Sequence, residues 1–395
     1  MLISISAVSA DGNFTDLNNE IQNSENVKEI AQDYTFDEKS DANFKNGILI
    51  NKNNITINGN GHVIDGNNQA MIFNITGENI TISDLKFINS PQVIKYWGKG
   101  WDSQITLNNL IFENNLGIDG PVELIASNST LNNCKFINST SVTGTAIYAE
   151  GTIANINNMI FSNFNGNSSI LYMSSDTQLF IDNCTFSDST TFNGAVFGMV
   201  KEVGVKNSRF INLNSNRTGG AFLLKMVGKA NFENNTFINI SARRNGGAVY
   251  IDDSGKIEYK NCKFINCSAE FGGAILHLKS GATLINNTSF DGCCATFDGG
   301  AVYVSNSILN IENADFNSNK LSSEDYCNGG AIYSDLTNLT VRNSKFVNNM
   351  KHAIYSYDNN ISISDSYFTN NGEAIHGVFI NKGSVQNCHD AELIF

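Results

Sequence analysis

One phenylalanine recurs at 87, 112, 136, 161, 186, 210, 237, 264, 290, 316, 346 and 368, with spacings of 22 to 30 residues that cluster at 24–27. Around each Phe the same columns return. Three residues before it stands Asn or Asp, from Asp84 and Asn109 through Asn343 and Asp365. Two residues after it Asn recurs, from Asn89 to Asn370, with Asp188, Gly292 and Ser318 as the departures. A second block follows a variable loop and is clearest in Gly246-Gly247-Ala248-Val249-Tyr250, Gly272-Gly273-Ala274-Ile275 and Gly329-Gly330-Ala331-Ile332-Tyr333. A third short apolar segment precedes each Asn, as in Ile308-Leu309-Asn310-Ile311. Three short strands per repeat of about 25 residues is the arithmetic of a parallel β-helix coil, which cannot bury its apolar face alone and closes its core by stacking. Twelve coils at roughly 4.8 Å per step make a solenoid about 60 Å long.

Composition agrees with this all-β reading. The 395 residues include 62 Asn and 33 Gly but only 2 Pro. Asn suits turns and left-handed backbone and weakens helix interiors, so short strands joined by tight turns follow. Stacked identical Asn side chains can also hydrogen-bond from coil to coil. The formal charge of −13 excludes a nucleic-acid partner, because phosphate binding needs clustered positive charge. No apolar run reaches the roughly 18 residues of a membrane span.

The expected organisation is a signal-peptide remnant at 1–10, an N-terminal cap at 11–47 and a β-helix at 48–395 that is truncated at its C-terminus. Val8-Ser9-Ala10 has the small-residue pattern of a secretory cleavage site. Phe14, Leu17, Ile21, Val27 and Ile30 predict a helix over 14–31, capped by Thr15 or Asp16, that covers the open end of the solenoid.

Gly272-Gly273-Ala274-Ile275, Gly329-Gly330-Ala331-Ile332, Phe112-Glu113-Asn114-Asn115 and Phe346-Val347-Asn348-Asn349 resemble the repeat of the polymorphic outer-membrane proteins of chlamydiae. The Asn-rich style is similar to the adhesin-like surface proteins of methanogenic archaea, as is the opening Ile57-Asn58-Gly59-Asn60-Gly61-His62-Val63-Ile64-Asp65-Gly66. The resemblance spans almost the whole chain. It implies a right-handed, single-stranded parallel β-helix of the pectin-lyase type. It also implies a secreted, surface-displayed protein that binds something. The expected function is that of an adhesin-like or structural surface protein that binds extracellular glycans or cell-surface proteins without catalysis.

The alternative is a carbohydrate-active β-helix enzyme, a polysaccharide lyase or hydrolase. Such an enzyme needs carboxylates converging from neighbouring coils. From three residues before each Phe to three after, no column holds acids on adjacent coils. The closest pair, Asp291 and Asp315, is diagonal, and Asp252-Asp253 flank a turn. His62, His277, His352, His376 and His389 are scattered without metal-ligand spacing, so no metal, cofactor or catalytic set is expected. Cys267 and Cys293 share a column on adjacent coils, and their expected separation of about 4.8 Å lies within disulfide reach.

Binding is expected on one outward column. The residue after Gly-Gly-Ala is always apolar and points inward, so the next one points out by strand alternation. It reads Tyr148, Tyr172, Phe197, Leu223, Tyr250, Leu276, Tyr303, Tyr333, Tyr355 and His376. Exposed, this ladder can stack on sugar rings; set at a corner beside Gly, it would be half buried. Trp97 and Trp101, with Lys95, Tyr96 and Lys99, form a second candidate in an inserted loop, able to grip a glycan or to staple the loop down. The longest variable loop, 317–328, carries Glu324, Asp325, Tyr326 and Cys327.

Overall fold

The computed structural model describes residues 12–115, 117, 120–138, 145–323, 327–379, 384–391 and 393–394; the cleavage-site pattern at 1–10 and residues 324–326 of the long loop lie outside them. The chain is an all-β, right-handed parallel β-helix with three strands per coil and one N-terminal helix. Among the described residues the first sheet holds fifteen strands, from Val27–Glu29 to Ser384–Gln386. The second runs from Tyr34–Thr35 to Tyr367–Thr369 and carries the Phe column. The third holds fifteen strands, from Asn46–Ile50 to Leu393–Ile394. Every pairing between named strands is parallel, and equivalent repeat positions lie side by side: Phe264 is in register with Phe237 and Phe290, Val302 with Ile275 and Ile332.

That register produces the core. Phe87 to Phe368 form one column of buried rings, with neighbouring centroids 4.3–5.5 Å apart. Phe222 of the third sheet meets Phe210 of the second at 5.0 Å and Phe232 of the first at 5.1 Å, so the three inner faces close on one another. Each buried ring contributes roughly 1.5–3 kcal/mol of transfer free energy, and stacking adds about 0.5–1.5 kcal/mol per pair.

The Asn columns are the corners between sheets. Asn109, Asn133, Asn234, Asn261, Asn287 and Asn313 all sit at φ between 48° and 56°. This left-handed backbone costs most side chains about 1–2 kcal/mol, and Asn tolerates it by bonding locally. The column after each Phe is left-handed too, which is why Gly292 substitutes there at φ 64°. The amides then chain along the axis: Asn261 Nδ2 donates to Asn234 Oδ1 at 3.0 Å, and Asn287 Nδ2 to Asn261 Oδ1 at 2.7 Å. The Gly-Gly pair has two separate causes. Its first member is left-handed, as at Gly272 (φ 62°), whereas a Cβ on the second, Gly273, would sit 2.0 Å from the Gly300 carbonyl oxygen of the next coil.

The cap is shorter than its periodicity predicts. The helix spans Phe14–Asn23, buries Phe14, Leu17 and Ile21, and is capped by Asn13, not Thr15 or Asp16. Asp16 instead closes a capping box by accepting from the Asn13 amide at 3.4 Å. Val27–Glu29 leaves the helical pattern because its backbone pairs with Thr56–Asn58, so the three sheets begin upstream of Ile48. The buried Asp41 carboxylate pins the cap, accepting from the Phe14 and Thr15 amides at 3.0 and 2.9 Å. Cys267 and Cys293 are buried free thiols, not a disulfide; each sulfur faces a backbone carbonyl. Among the described residues no helix is long and apolar enough to cross a membrane.

Candidate functional site

The outward column of the third sheet is longer than the tyrosine pattern indicates. Strand register extends it upstream to Glu123, Lys95 and Asn74. Two segments of it are half-exposed rows of rings in contact, stacked except where Phe197 tilts 32° from Tyr172. Tyr148 lies 5.7 Å from Tyr172, which lies 4.8 Å from Phe197. Further along, Tyr303, Tyr333, Tyr355 and His376 follow at 4.8, 5.5 and 5.5 Å with interplanar angles of 8–17°. Burial raises the Tyr303 hydroxyl pKa to about 12, with Asp335 and Asp298 adding to it, so the ring stays a neutral donor at neutral pH.

Between these segments the stripe is covered. Tyr250 is only 8% exposed, packed with Leu223 and Leu276 in an apolar cluster bordered by Phe197, Phe271, Leu278 and Tyr303. It therefore departs from the exposed position expected of it, because Leu223 and Leu276 flank it in register and pack against it. Beside this cover lies a recess of about 380 Å³ where Arg217, Lys225 and Arg244 meet Tyr172, Phe197 and Tyr250. No carboxylate lies within ion-pair distance of these three cations among the described residues, which stands out in a chain of charge −13.

The two tryptophans divide in role. Trp101 Nε1 donates to the Gly151 carbonyl at 2.8 Å, and Lys201 sits 5.0 Å from its ring, so this side chain staples the insertion across the coils. Trp97 is 47% exposed and lines a recess of about 420 Å³ with Glu123, Ile125, Tyr148 and Glu150. Here two carboxylates from adjacent strands share one recess, in the third sheet and not beside the Phe column. Glu123 is held by Lys95 at 3.0 Å and by Gln92 Nε2 at 2.7 Å. Glu150 accepts from the Tyr148 hydroxyl at 2.7 Å, and burial followed by that contact raises the Tyr148 pKa to about 12. The signal in the sequence was the replacement of aromatics by Lys95 and Glu123 in the first copies of the column.

The other acids do not converge. Asp291 is in register with Asn317 and accepts its amide at 2.9 Å, while Asp315 is in register with Ser289 and Lys345. Asp253 holds a left-handed turn at φ 50°, and Asp252 accepts from Tyr250 at 3.4 Å. His62 bonds Asp33 at 3.0 Å in a turn, and His277 is fully buried between Tyr259 and Thr283. His352 and His376, one coil apart, do meet, around Glu373.

A family model described as a right handed beta helix region matches residues 120–290. None of the curated proteins matches. Among solved structures the chain is similar to tailspike protein 3 of bacteriophage CBA120, at TM-score 0.50 and 10% identity over 95% of this chain; it spans 58% of the tailspike's length. It is also similar to the catalytic unit of an alpha-1,3-glucanase from Streptomyces thermodiastaticus (TM-score 0.38, 10% identity, covering 98% of this chain and 67% of that one). A third similar structure is PfbA, a surface adhesin of Streptococcus pneumoniae (TM-score 0.28, 10% identity, 95% and 91% covered). At 10% identity the likeness to the tailspike is one of fold alone, a right-handed β-helix.

Proposed function

We propose that this chain is a secreted, adhesin-like β-helix whose third sheet binds extended glycans without cleaving them. The observation that carries the reading is the pair of half-exposed aromatic stacks, Tyr148–Tyr172–Phe197 and Tyr303–Tyr333–Tyr355, on one outer face. Aromatic faces held in line by the fold are ordered before a ligand arrives, so little side-chain entropy is lost on binding. The recess of Arg217, Lys225 and Arg244 between the stacks favours a sugar bearing a carboxylate or sulfate over a neutral one. Surface display rests on the resemblance to adhesin-like proteins and on the company of a tailspike and an adhesin among similar folds.

The test is a glycan array with the purified chain, run beside a reducing-end release assay on the same polysaccharides. A sugar covering about 50 Å² of one ring face gains roughly 1.3 kcal/mol, close to tenfold in affinity. Changing both Tyr303 and Tyr333 to Ser should therefore weaken binding by up to about a hundredfold while leaving the folded state intact. Unchanged binding would refute the ladder as the site.

A second reading is favoured by the Trp97 recess. Glu123 and Glu150, with Tyr148 and Lys95, supply two carboxylates, a phenol and a cation from neighbouring coils, the material of a polysaccharide lyase or hydrolase. Product release that disappears in both Glu123→Gln and Glu150→Gln would establish this reading in place of the first.

A further inference from the structure

Where the repeat is broken three times in two adjacent coils, the three odd residues face one another. His352 and Glu373 are in register, and they stand where the preceding coil has the second Gly of its Gly-Gly pair, Gly330. His376 stands in register with Tyr355, in the outward column. Lys351, at φ 62°, takes the left-handed place that Gly329 holds one coil earlier, so the corner survives the loss of both glycines. Side chains therefore stand at a position where, in the preceding coils, a bare glycine lets the next coil's backbone carbonyl approach, as Met350 O does at Gly330.

Their geometry is that of a donor set. His352 Nε2 lies 3.3 Å from Glu373 Oε2, and His376 Nδ1 lies 2.9 Å from the same oxygen. The imidazole centroids are 4.7 Å apart, and one donor atom from each of the three residues lies within 4.8 Å of the others. A tetrahedral ion with bonds of 2.0–2.1 Å holds its donors roughly 3.3–3.4 Å apart, so these three close on an ion with small side-chain adjustments. His352 is only 7% exposed, and its Nδ1 is buried with no hydrogen-bond partner. The nitrogen of that ring which faces the cluster is Nε2. Tyr355 stacks on His376 at 15° and limits the freedom of that ring.

We propose that His352, Glu373 and His376 form a site for a borderline divalent transition metal of the Zn²⁺ type. Two imidazoles and a carboxylate suit such an ion better than Ca²⁺ or Mg²⁺, which prefer all-oxygen sets. Three protein ligands leave a fourth position for water or a ligand oxygen. Because His352 belongs to one coil and Glu373 and His376 to the next, the ion would clamp two coils together at the end of the aromatic stripe. The inference does not depend on the glycan reading, since the ion binds whether or not the stripe does.

The full chain, stripped of metal at pH 7.5, is titrated with Zn²⁺ by calorimetry and with Co²⁺ by visible absorption. The expected result is one Zn²⁺ per chain, a four-coordinate Co²⁺ spectrum without a thiolate charge-transfer band, and a thermal midpoint that rises with Zn²⁺. His376→Tyr and His352→Gly install the residues that the preceding coils carry, and Glu373→Gln preserves shape. Each should weaken Zn²⁺ binding by at least about a hundredfold and abolish the Zn²⁺-dependent rise in midpoint. The exposed pair His389 and Asp390, 3.1 Å apart, serves as control, and the double change His389→Ala, Asp390→Asn should leave binding intact. Parent binding no tighter than that of the variants, a thiolate band from Cys388 or another thiol, or loss of binding in the control each overturns the proposal.

Discussion

His277 makes the middle of the solenoid acid-sensitive by an amount that follows from its burial. The imidazole is 0% exposed, with Nε2 2.9 Å from the Tyr259 hydroxyl and Nδ1 3.1 Å from Thr283 Oγ1. Burial lowers its pKa to about 3. In the unfolded chain the group titrates near 6.5, so below that pH the unfolded state takes up a proton that the folded state refuses until about pH 3. Stability therefore falls as pH falls through this window. Between pH 7 and pH 5 the loss is about 2 kcal/mol, at 1.36 kcal/mol per unit below 6.5. Asp41 has its pKa lowered because its hydrogen bonds outweigh burial, and His352 has its lowered to about 4; both push stability in the same direction. A variant isolates His277 from them. His277→Val installs the residue found one coil on, at Val304. The exchange strips Tyr259 and Thr283 of a partner and costs about 1–3 kcal/mol for each, independent of pH. A stacked solenoid opens piecewise, so hydrogen exchange of the Ile275–Leu278 amides, corrected for intrinsic rates, is the suitable assay. On going from pH 7 to 5, protection in the parent should fall roughly thirtyfold more than in the variant. Equal pH dependence in the two proteins, or a His277 resonance titrating near 6.5, would refute the account.

Two further predictions concern the scaffold. Phe264 stacks on Phe237 at 4.6 Å and on Phe290 at 4.9 Å with no exposure, so Phe264→Ala should cost about 3–5 kcal/mol and Phe264→Leu less than half of that, read from urea midpoints. Asn261→Ala should cost about 2–4 kcal/mol, because it loses two amide bonds and places Ala at φ 54°, whereas Asn261→Gly recovers the backbone share; equal midpoints for the two variants would sink the left-handed account.

The fold was legible because each column of the repeat reports one three-dimensional position many times over. Phe, Asn and Gly-Gly each recur where a single steric demand recurs: a core ring, a left-handed corner, a backbone contact under 3 Å from any added Cβ. The cap was less legible, since Val27 and Ile30 fit a helical period equally well and only their pairing partner at Thr56–Asn58 decides against it. The aromatic column could be read, but not the packing of Phe271 against its Leu223–Tyr250–Leu276 segment, because Phe271 belongs to a loop outside the columns. The acidic recess lay among early copies where the repeat is degenerate. The histidine pair escaped because metal-ligand spacings of three or four residues are a helical criterion. In a coil, contact distance is one whole repeat, and His352 and His376 are 24 residues apart.

The zero offset between coils has an evolutionary consequence. A recombination event that deletes or duplicates one repeat rejoins strand to strand with the same columns facing across the seam, so the product is still a solenoid. Such an event changes one quantity cleanly: the distance between the Trp97 recess and the His352 cluster moves by a single rise of about 4.8 Å. Neighbouring copies as alike as Gly246-Gly247-Ala248-Val249 and Gly272-Gly273-Ala274-Ile275 are the substrates for such exchange. The reach of this surface is thus set in whole increments, and lineages can adjust it by counting repeats while every core contact stays as it was.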